Sequence, residues 1–431
     1  MKKFLILFLA STSLFAQRIN LNIDRIMYGQ SVSAVTARSL GLGGAGLAAG
    51  DAFMAATHNP ALALNSEGTL SLNAGARLYN LEEDRSFPYY DNFEGFVDYG
   101  SYYFQNNWYG SFYGQLVYAP DFIDAMNLHI STGYIPFMDF NYNYFEEVRS
   151  TGFDDGLLAY NIIENEGMLS LIPLNIAVEP FENLNVGFGA GLITGDVSYY
   201  EHIESKSLAL SNLDTTVQID SKLDGTPLLL NAGLTYQVDE RLTVGASYRL
   251  PYSVKTKAVA SYDNIVDTTG MARTVDYPAR IGAGIDYRFE NILAARLMID
   301  YYYEFWSDFK DSWNKDLSFD DTYNIRVGVE HIFFDDIPFR AGFNYGTMRE
   351  DKSLTQTVLS IGSGYNFKGV QLDFAAGYAQ NEYFQQDMYA DNLFVLEIRE
   401  RPIFPFQTGT VNVDRVSWTE YFVRLDLSYT F

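Results

Sequence analysis

The last eleven residues, "YFVRLDLSYTF" (Tyr421–Phe431), divide into two faces. Val423, Leu425, Leu427, Tyr429 and Phe431 fall on one, and Arg424, Asp426, Ser428 and Thr430 on the other. A helix would mix these sets, whereas a strand, whose side chains alternate with period two, keeps them apart. The same pattern recurs in "LLNAGLTYQV" (Leu229–Val238), "LTVGASYRL" (Leu242–Leu250), "RIGAGIDYRF" (Arg280–Phe289), "YNIRVGVEHIF" (Tyr323–Phe333) and "FRAGFNYG" (Phe339–Gly346). Alternation alone does not choose between a soluble sandwich and a membrane barrel.

Connection lengths make that choice. The alternating segments number fourteen, at 67–80, 108–119, 127–140, 167–180, 183–201, 225–238, 241–262, 275–289, 292–306, 322–334, 337–348, 356–367, 370–381 and 418–431. Short links ("EN" near Phe181, "DE" near Val238, "KG" before Val370) alternate with long ones (Glu82–Asn107, Asn141–Glu166, His202–Asp224, Asn381–Ser417). Short turns at one rim, long loops at the other and an even count are the pattern of an outer-membrane barrel. An Arg or Lys on the lipid face costs ~2–4 kcal/mol near the midplane. Arg249, Arg280, Arg288, Arg326, Arg340 and Arg424 are therefore expected inside, with Asp286, Asp300, Glu330, Asp373 and Asp426.

The start of the chain agrees with export. "MKKFLILFLASTSLFAQ" has a basic start at Lys2 and Lys3, a short apolar run and a small-residue end at Ala16, so residues 1–16 read as a signal peptide. No later stretch is long and apolar enough for a membrane-spanning helix. Tyr and Phe number 33 and 32, an aromatic load that suits the girdles at the two membrane interfaces. The chain carries 29 basic and 54 acidic residues, which argues against nucleic acid as a partner. Cysteine is absent, which removes disulfides and thiolate metal sites. His58, His129, His202 and His331 lie at no metal-ligand spacing, and there is no Gly-x-Ser-x-Gly elbow. No enzyme, cofactor or metal site is expected.

Between leader and first strand lies "SLGLGGAGLAAGDAFMAATHNPALAL" (Ser39–Leu64). Gly41, Gly43 and Gly46 match the G-x-G-x-x-G spacing of a dinucleotide site, but no buried strand precedes them and Asn59-Pro60 stops any helix after them. A segment this small and apolar is expected to form a hatch inside the lumen. The divisions are then 1–16 signal peptide, 17–65 hatch and 66–431 barrel.

This stretch resembles the hatch motif of the FadL/TodX (OMPP1) outer-membrane transporters, a run of small residues (Gly41, Gly43, Gly44, Gly46) closed by Asn59-Pro60-Ala61. His58 stands where the family usually has an aromatic residue. "NAGLTYQVDERLTVGASYRLPYSVKTKA" (Asn231–Ala258), "YEFWSDFKD" (Tyr303–Asp311) and "YNIRVGVEHIFFDDIPFRAGFNYG" (Tyr323–Gly346) extend the likeness in family order. It implies an all-β, transmembrane antiparallel barrel of about fourteen strands in the outer membrane of a Gram-negative-type bacterium. The implied function is passive uptake of long-chain fatty acids or other hydrophobic small molecules by lateral diffusion. The terminal Phe431 resembles the signal read by the barrel-assembly machinery, expected as a partner during biogenesis alongside outer-membrane lipids.

In that family a kinked third strand makes a side opening. Gly133 and Pro136 in "STGYIPFMDF" (Ser131–Phe140) stand where it would be, since Pro cannot donate to the ladder and Gly permits a bend. Phe394, Leu396, Ile403, Phe404 and Phe406, in a long apolar loop, are candidates for capture of the ligand, and Arg249 and Arg280 for its anionic group. The alternatives are a FadL-like barrel acting in protein secretion or envelope organisation, and a porin for polar solutes, which a plugged lumen disfavours.

Overall fold

The computed structural model describes residues 21–431 apart from 33, 92, 94, 121–126, 150–155, 264, 291–293, 335–336, 390 and 395–412. The signal-peptide expectation, and those for Leu396, Ile403, Phe404 and Phe406, lie outside the described residues.

Fourteen strands close a wall in which each pairs antiparallel with the next. They are β1 (Leu70–Tyr90), β2 (Phe96–Tyr118), β3 (Leu128–Asp139), β4 (Leu157–Phe181), β5 (Leu184–Thr194), β6 (Leu228–Gln237) and β7 (Leu242–Arg249), followed by β8 (Arg280–Arg288), β9 (Arg296–Glu304), β10 (Thr322–Phe333), β11 (Ile337–Thr347), β12 (Thr355–Phe367), β13 (Val370–Gln386) and β14 (Val413–Thr430). The seam is β14 on β1, from Ser71 opposite Thr430 to Ser86 opposite Arg415. Closure pairs the sheet edges around the wall except where β2 outruns β3, and an unpaired backbone group in the hydrocarbon is costly.

The two faces of the terminal strand point as the sequence reading requires. Leu425 and Leu427 are exposed on the outside, while Arg424 and Asp426 are buried inside. Arg326, Arg340, Asp286, Asp300, Glu330 and Asp373 are also buried. The short link Lys368-Gly369 has positive φ at both residues, 52° and 87°, as a two-residue hairpin turn demands.

Three expected strands break, 275–289 among them, where Val275–Tyr277 end an outer strand and the wall begins at Arg280. Segment 183–201 ends as wall at Thr194. Gly195, at φ 130°, turns the chain into a second strand, Asp196–Ser205, which pairs with the outer part of β4 and with Thr215–Leu223. Segment 241–262 breaks at Leu250-Pro251, and Tyr252–Tyr262 leaves β8 to pair with Ile265–Tyr277 and Thr215–Leu223. With Tyr142–Arg149 and Lys310–Asp311, these strands form a sheet continuing the wall on the long-loop side.

Residues 21–65 pack inside the wall. Helix α1 (Leu21–Tyr28) is followed by a two-residue strand Gln30–Ser31, helix α2 (Ala37–Gly41) and single helical turns at Ala52–Met54 and Pro60–Asn65. Thr36 caps α2 by accepting from Ser39 N at 3.1 Å. Among the described residues, no helix is long and apolar enough to cross a membrane.

Candidate functional site: hatch, lumen and a break in the wall

The glycine-rich segment is held by wall charges that complete its backbone hydrogen bonds. The N–H groups of Gly46 and Leu47 donate to Asp300 Oδ2 at 2.8 and 2.9 Å, and Gly43 N donates to Ser360 Oγ at 3.1 Å. Asp426 accepts from Ala37 N. Arginines take the carbonyls: Arg326 to Gly44 (3.1 Å), Arg296 to Ala49 (3.0 Å), Arg280 to Thr57 (2.6 Å) and Arg424 to Val35. Buried backbone groups need partners, and charge-assisted ones are the stronger kind. Gly43, Gly44 and Gly46 have φ of 67°, 80° and 138°, a region other residues rarely adopt.

Wall and hatch meet backbone to backbone. A Cβ on Gly245 would lie 2.8 Å from Ala48 Cα, one on Gly328 would lie 2.8 Å from the Leu42 carbonyl, and one on Gly342 would strike Gly43 N. Asn59 donates to the Leu47 and Leu234 carbonyls, both at 3.0 Å, and its Oδ1 accepts from Ala61 N, so Asn59-Pro60 ties the end of the hatch to β6. His58 Nε2 donates to the Gly44 carbonyl at 2.9 Å, and Nδ1 lies 2.8 Å from the Thr57 hydroxyl. Burial, together with the positive charge of Arg326, holds the His58 pKa below its ordinary value. A second network ties Arg38 of α2 to Glu330 (3.0 Å), with Arg340 bridging Glu330 (2.7 Å) and Asp373 (2.6 Å).

The third strand leaves the wall. Its ladder with β2 runs from Tyr118 opposite Ile130 to Gly114 opposite Tyr134 and ends there. Beyond it, residues 135–140 are all buried, which a strand lying in the wall would not show. Three features favour the departure. A Cβ on Gly133 would lie 2.9 Å from Gln115 Cγ and closer still to the Gly114 carbonyl. Pro136 has no N–H to give. The ladder with β4 slips between Pro136 and Met138, a bulge that bends the strand. The hatch takes up hydrogen bonds that β2 relinquishes, since Gln30–Ser31 pairs with Met138–Asp139 and Val32 N donates to the Phe137 carbonyl at 3.0 Å. Further out, among the described residues, side-chain-to-backbone hydrogen bonds bridge the break: Phe145 N donates to Gln105 Oε1 (3.0 Å) and Asn107 Nδ2 to the Asn143 carbonyl (3.4 Å).

Inside the break lies an aromatic chamber. Tyr252 and Tyr277 stack at 5.0 Å, Phe309 and Phe319 pack edge to face on Tyr28 from α1, and Trp306 packs edge to face on Phe319. Tyr28 Oη donates to Asp311 Oδ2 at 3.1 Å, and Arg273 grips the same carboxylate with two N–H groups. Below it, Arg249 and Arg280 converge on a cavity of about 20 Å³ that is also lined by His58, Phe137 and Leu229, which is room for one water-sized group. Glu304 is shared between the two arginines, at 3.4 and 4.0 Å, and Arg249 Nε has no hydrogen-bond partner among the described residues. Phe394 is buried against Ala159 and Leu210. Sequence reading missed the Tyr28 chamber, because its members come from five separate segments. Only Trp306 and Phe309, in the Trp-Ser-x-Phe motif, stood out beforehand.

Residues 170–392 match the model of the family described as outer membrane protein transport protein (OMPP1/FadL/TodX). The chain is similar in fold to a Pseudomonas aeruginosa FadL homologue (16% identity, TM-score 0.61, covering 94% of this chain and 100% of that one). It is likewise similar to the P. putida toluene transporter TodX (13%, 0.60, 93% and 99%) and the Ralstonia pickettii toluene transporter TbuX (17%, 0.56, 93% and 99%). At such identities the likeness shows the fold alone. No curated protein sequence matches the chain.

Proposed function

Given that this chain belongs to the outer membrane protein transport protein family (OMPP1/FadL/TodX), we propose that it takes up long-chain fatty acids or similar amphipathic molecules, releasing them sideways through the break beside β3. Transport of hydrophobic compounds across the outer membrane is the activity of the family. The substrate and the route are our reading.

The observation that carries the route is the end of the β2–β3 ladder at Gly114 and Tyr134, above which β3 turns inward. A solute insoluble in water gains nothing from an aqueous exit, and with the hatch clamped below, the hydrocarbon beside the break is its favourable destination. What supports an acidic head group is the surplus of guanidinium over carboxylate at Arg249, Arg280 and Glu304. An anion there would gain charge-assisted hydrogen bonds in a site of low dielectric. The apolar body would lie along Phe137, Leu229 and Tyr252.

The test is uptake of radiolabelled oleate by cells carrying the chain or its Pro136→Ala variant. Alanine restores an N–H at the bend and lets β3 pair more fully, so the initial rate is expected to fall severalfold. An unchanged rate with equal amounts of assembled barrel would remove the sideways route.

A further inference from the structure

A hollow of about 320 Å³ indents the outer face of the wall directly below the break, on the short-turn side. Leu72, Leu116, Val370, Leu427 and Tyr429 rim it, and Gly114 forms its floor at the last β2–β3 pair. These residues all occupy outward positions of their strands, and among the described residues no charged side chain lines the hollow. The space is enough for ~10 groups of water size, at ~30 Å³ each. Elsewhere on the same face of β2, Phe104, Trp108 and Phe112 stand proud of the wall.

We infer that this hollow is a landing site on the membrane side, which receives the alkyl or aryl body of the transported molecule as it passes the break. The inference rests on the sideways route proposed above and adds a defined surface beyond it. Position favours the solute as occupant. The hollow starts where the ladder stops, so a molecule leaving the lumen at Gly114 meets it before it meets bulk lipid. Its rim is apolar, and the Asn73 and Gln115 side chains that back it are buried toward the lumen, so it offers contact mainly to a hydrocarbon. Ordinary lipid acyl chains are the competing occupant.

Gly114 gives the test its handle, because a Cβ there meets no atom within 4 Å. Gly114→Phe fills the hollow without touching the fold. Gly110→Phe, on the same outward face but outside the hollow, is the control. Each barrel is placed in nanodiscs of saturated phosphatidylcholine with a diazirine-bearing palmitate, irradiated, and mapped by peptide mass spectrometry. Label is expected on Leu72, Leu116, Leu427 or Tyr429, lost in Gly114→Phe and kept in Gly110→Phe. Initial palmitate uptake by cells should fall about tenfold in Gly114→Phe alone, the effect of removing roughly two methylenes of apolar contact.

Equal labelling of the hollow by a diazirine phospholipid at the same mole fraction would overturn the inference, since the site would then be ordinary lipid contact. The chain has no cysteine, so Asn107→Cys with Asn143→Cys can be bridged by a bis-maleimide to close the break. If bridging stops uptake while Gly114→Phe does not change it, the hollow is wrong and the sideways route stands. If bridging leaves uptake unchanged, both fall.

Discussion

At the residue scale, the glycine motif does cradle an anion, and the anion belongs to the chain. Gly46 and Leu47 offer adjacent N–H groups, as such loops offer them to phosphate, and Asp300 fills the place. The spacing was legible in the sequence. Its partner lies 254 residues away, across a register that no local pattern encodes. His58 shows the same limit. The sequence marks it as a departure from the family, while only the fold shows the ring buried against Gly44. Because its pKa is depressed in the folded hatch, its contribution to stability is full above the unfolded value of ~6.5 and is lost as pH falls below it. The protection factors of Gly43–Gly50, which allow for slower intrinsic exchange in acid, should therefore fall as pH drops below ~6.5. A His58→Gln barrel should flatten that profile, and an unaltered profile would show that another group titrates. For Arg249, replacement by Gln should weaken binding of oleate to the purified barrel about tenfold, the worth of one hydrogen bond to a charged group. Binding of uncharged toluene should be unaffected, and calorimetry on the two ligands separates the outcomes.

Elements were the most legible scale where alternation is strict. All fourteen wall strands appear in the sequence order expected, because a wall strand must hide its charges on every second residue. What escaped is where strands change partners. Gly195 and Pro251 both lie inside unbroken alternation, and a partner switch leaves that local pattern intact. The bend in β3 was readable from composition, since a Gly and a Pro so close together cannot make an ordinary central strand. The way the hatch strand Gln30–Ser31 replaces part of the lost ladder was not. Gly133→Ala should push β2 and β3 apart at their last pair, because the new methyl meets the Gly114 carbonyl and Gln115. A loss of about 1–3 kcal/mol is expected, the usual cost of overpacking. It would register as a lower temperature for the heat-modified shift in gel mobility, whereas Gly114→Ala should leave that temperature unchanged.

For the whole molecule, the hatch and the wall form one electrostatic unit. Asp300, Asp426, Arg326 and Arg424 find partners on hatch backbone, so removing residues 21–65 would strand buried charges as well as open the lumen. In planar bilayers such a deletion should conduct ions steadily, while the intact barrel stays nearly silent. Comparable conductance in both would mean that the hatch does not seal. The charged lining was legible through the lipid-face cost of Arg. Its use as a clamp on the hatch was not, because burial of a side chain does not reveal which backbone it reaches.

The seam between β14 and β1 also joins closure of the wall to anchoring of the hatch. The final strand supplies the last ladder of the cylinder and, through Asp426 and Arg424, two of the groups that grip the hatch. A nascent chain that lacks residues 413–431 has neither. The strand that closes the cylinder thus also completes the grip on the hatch that Asp300, Arg326 and Asn59 begin.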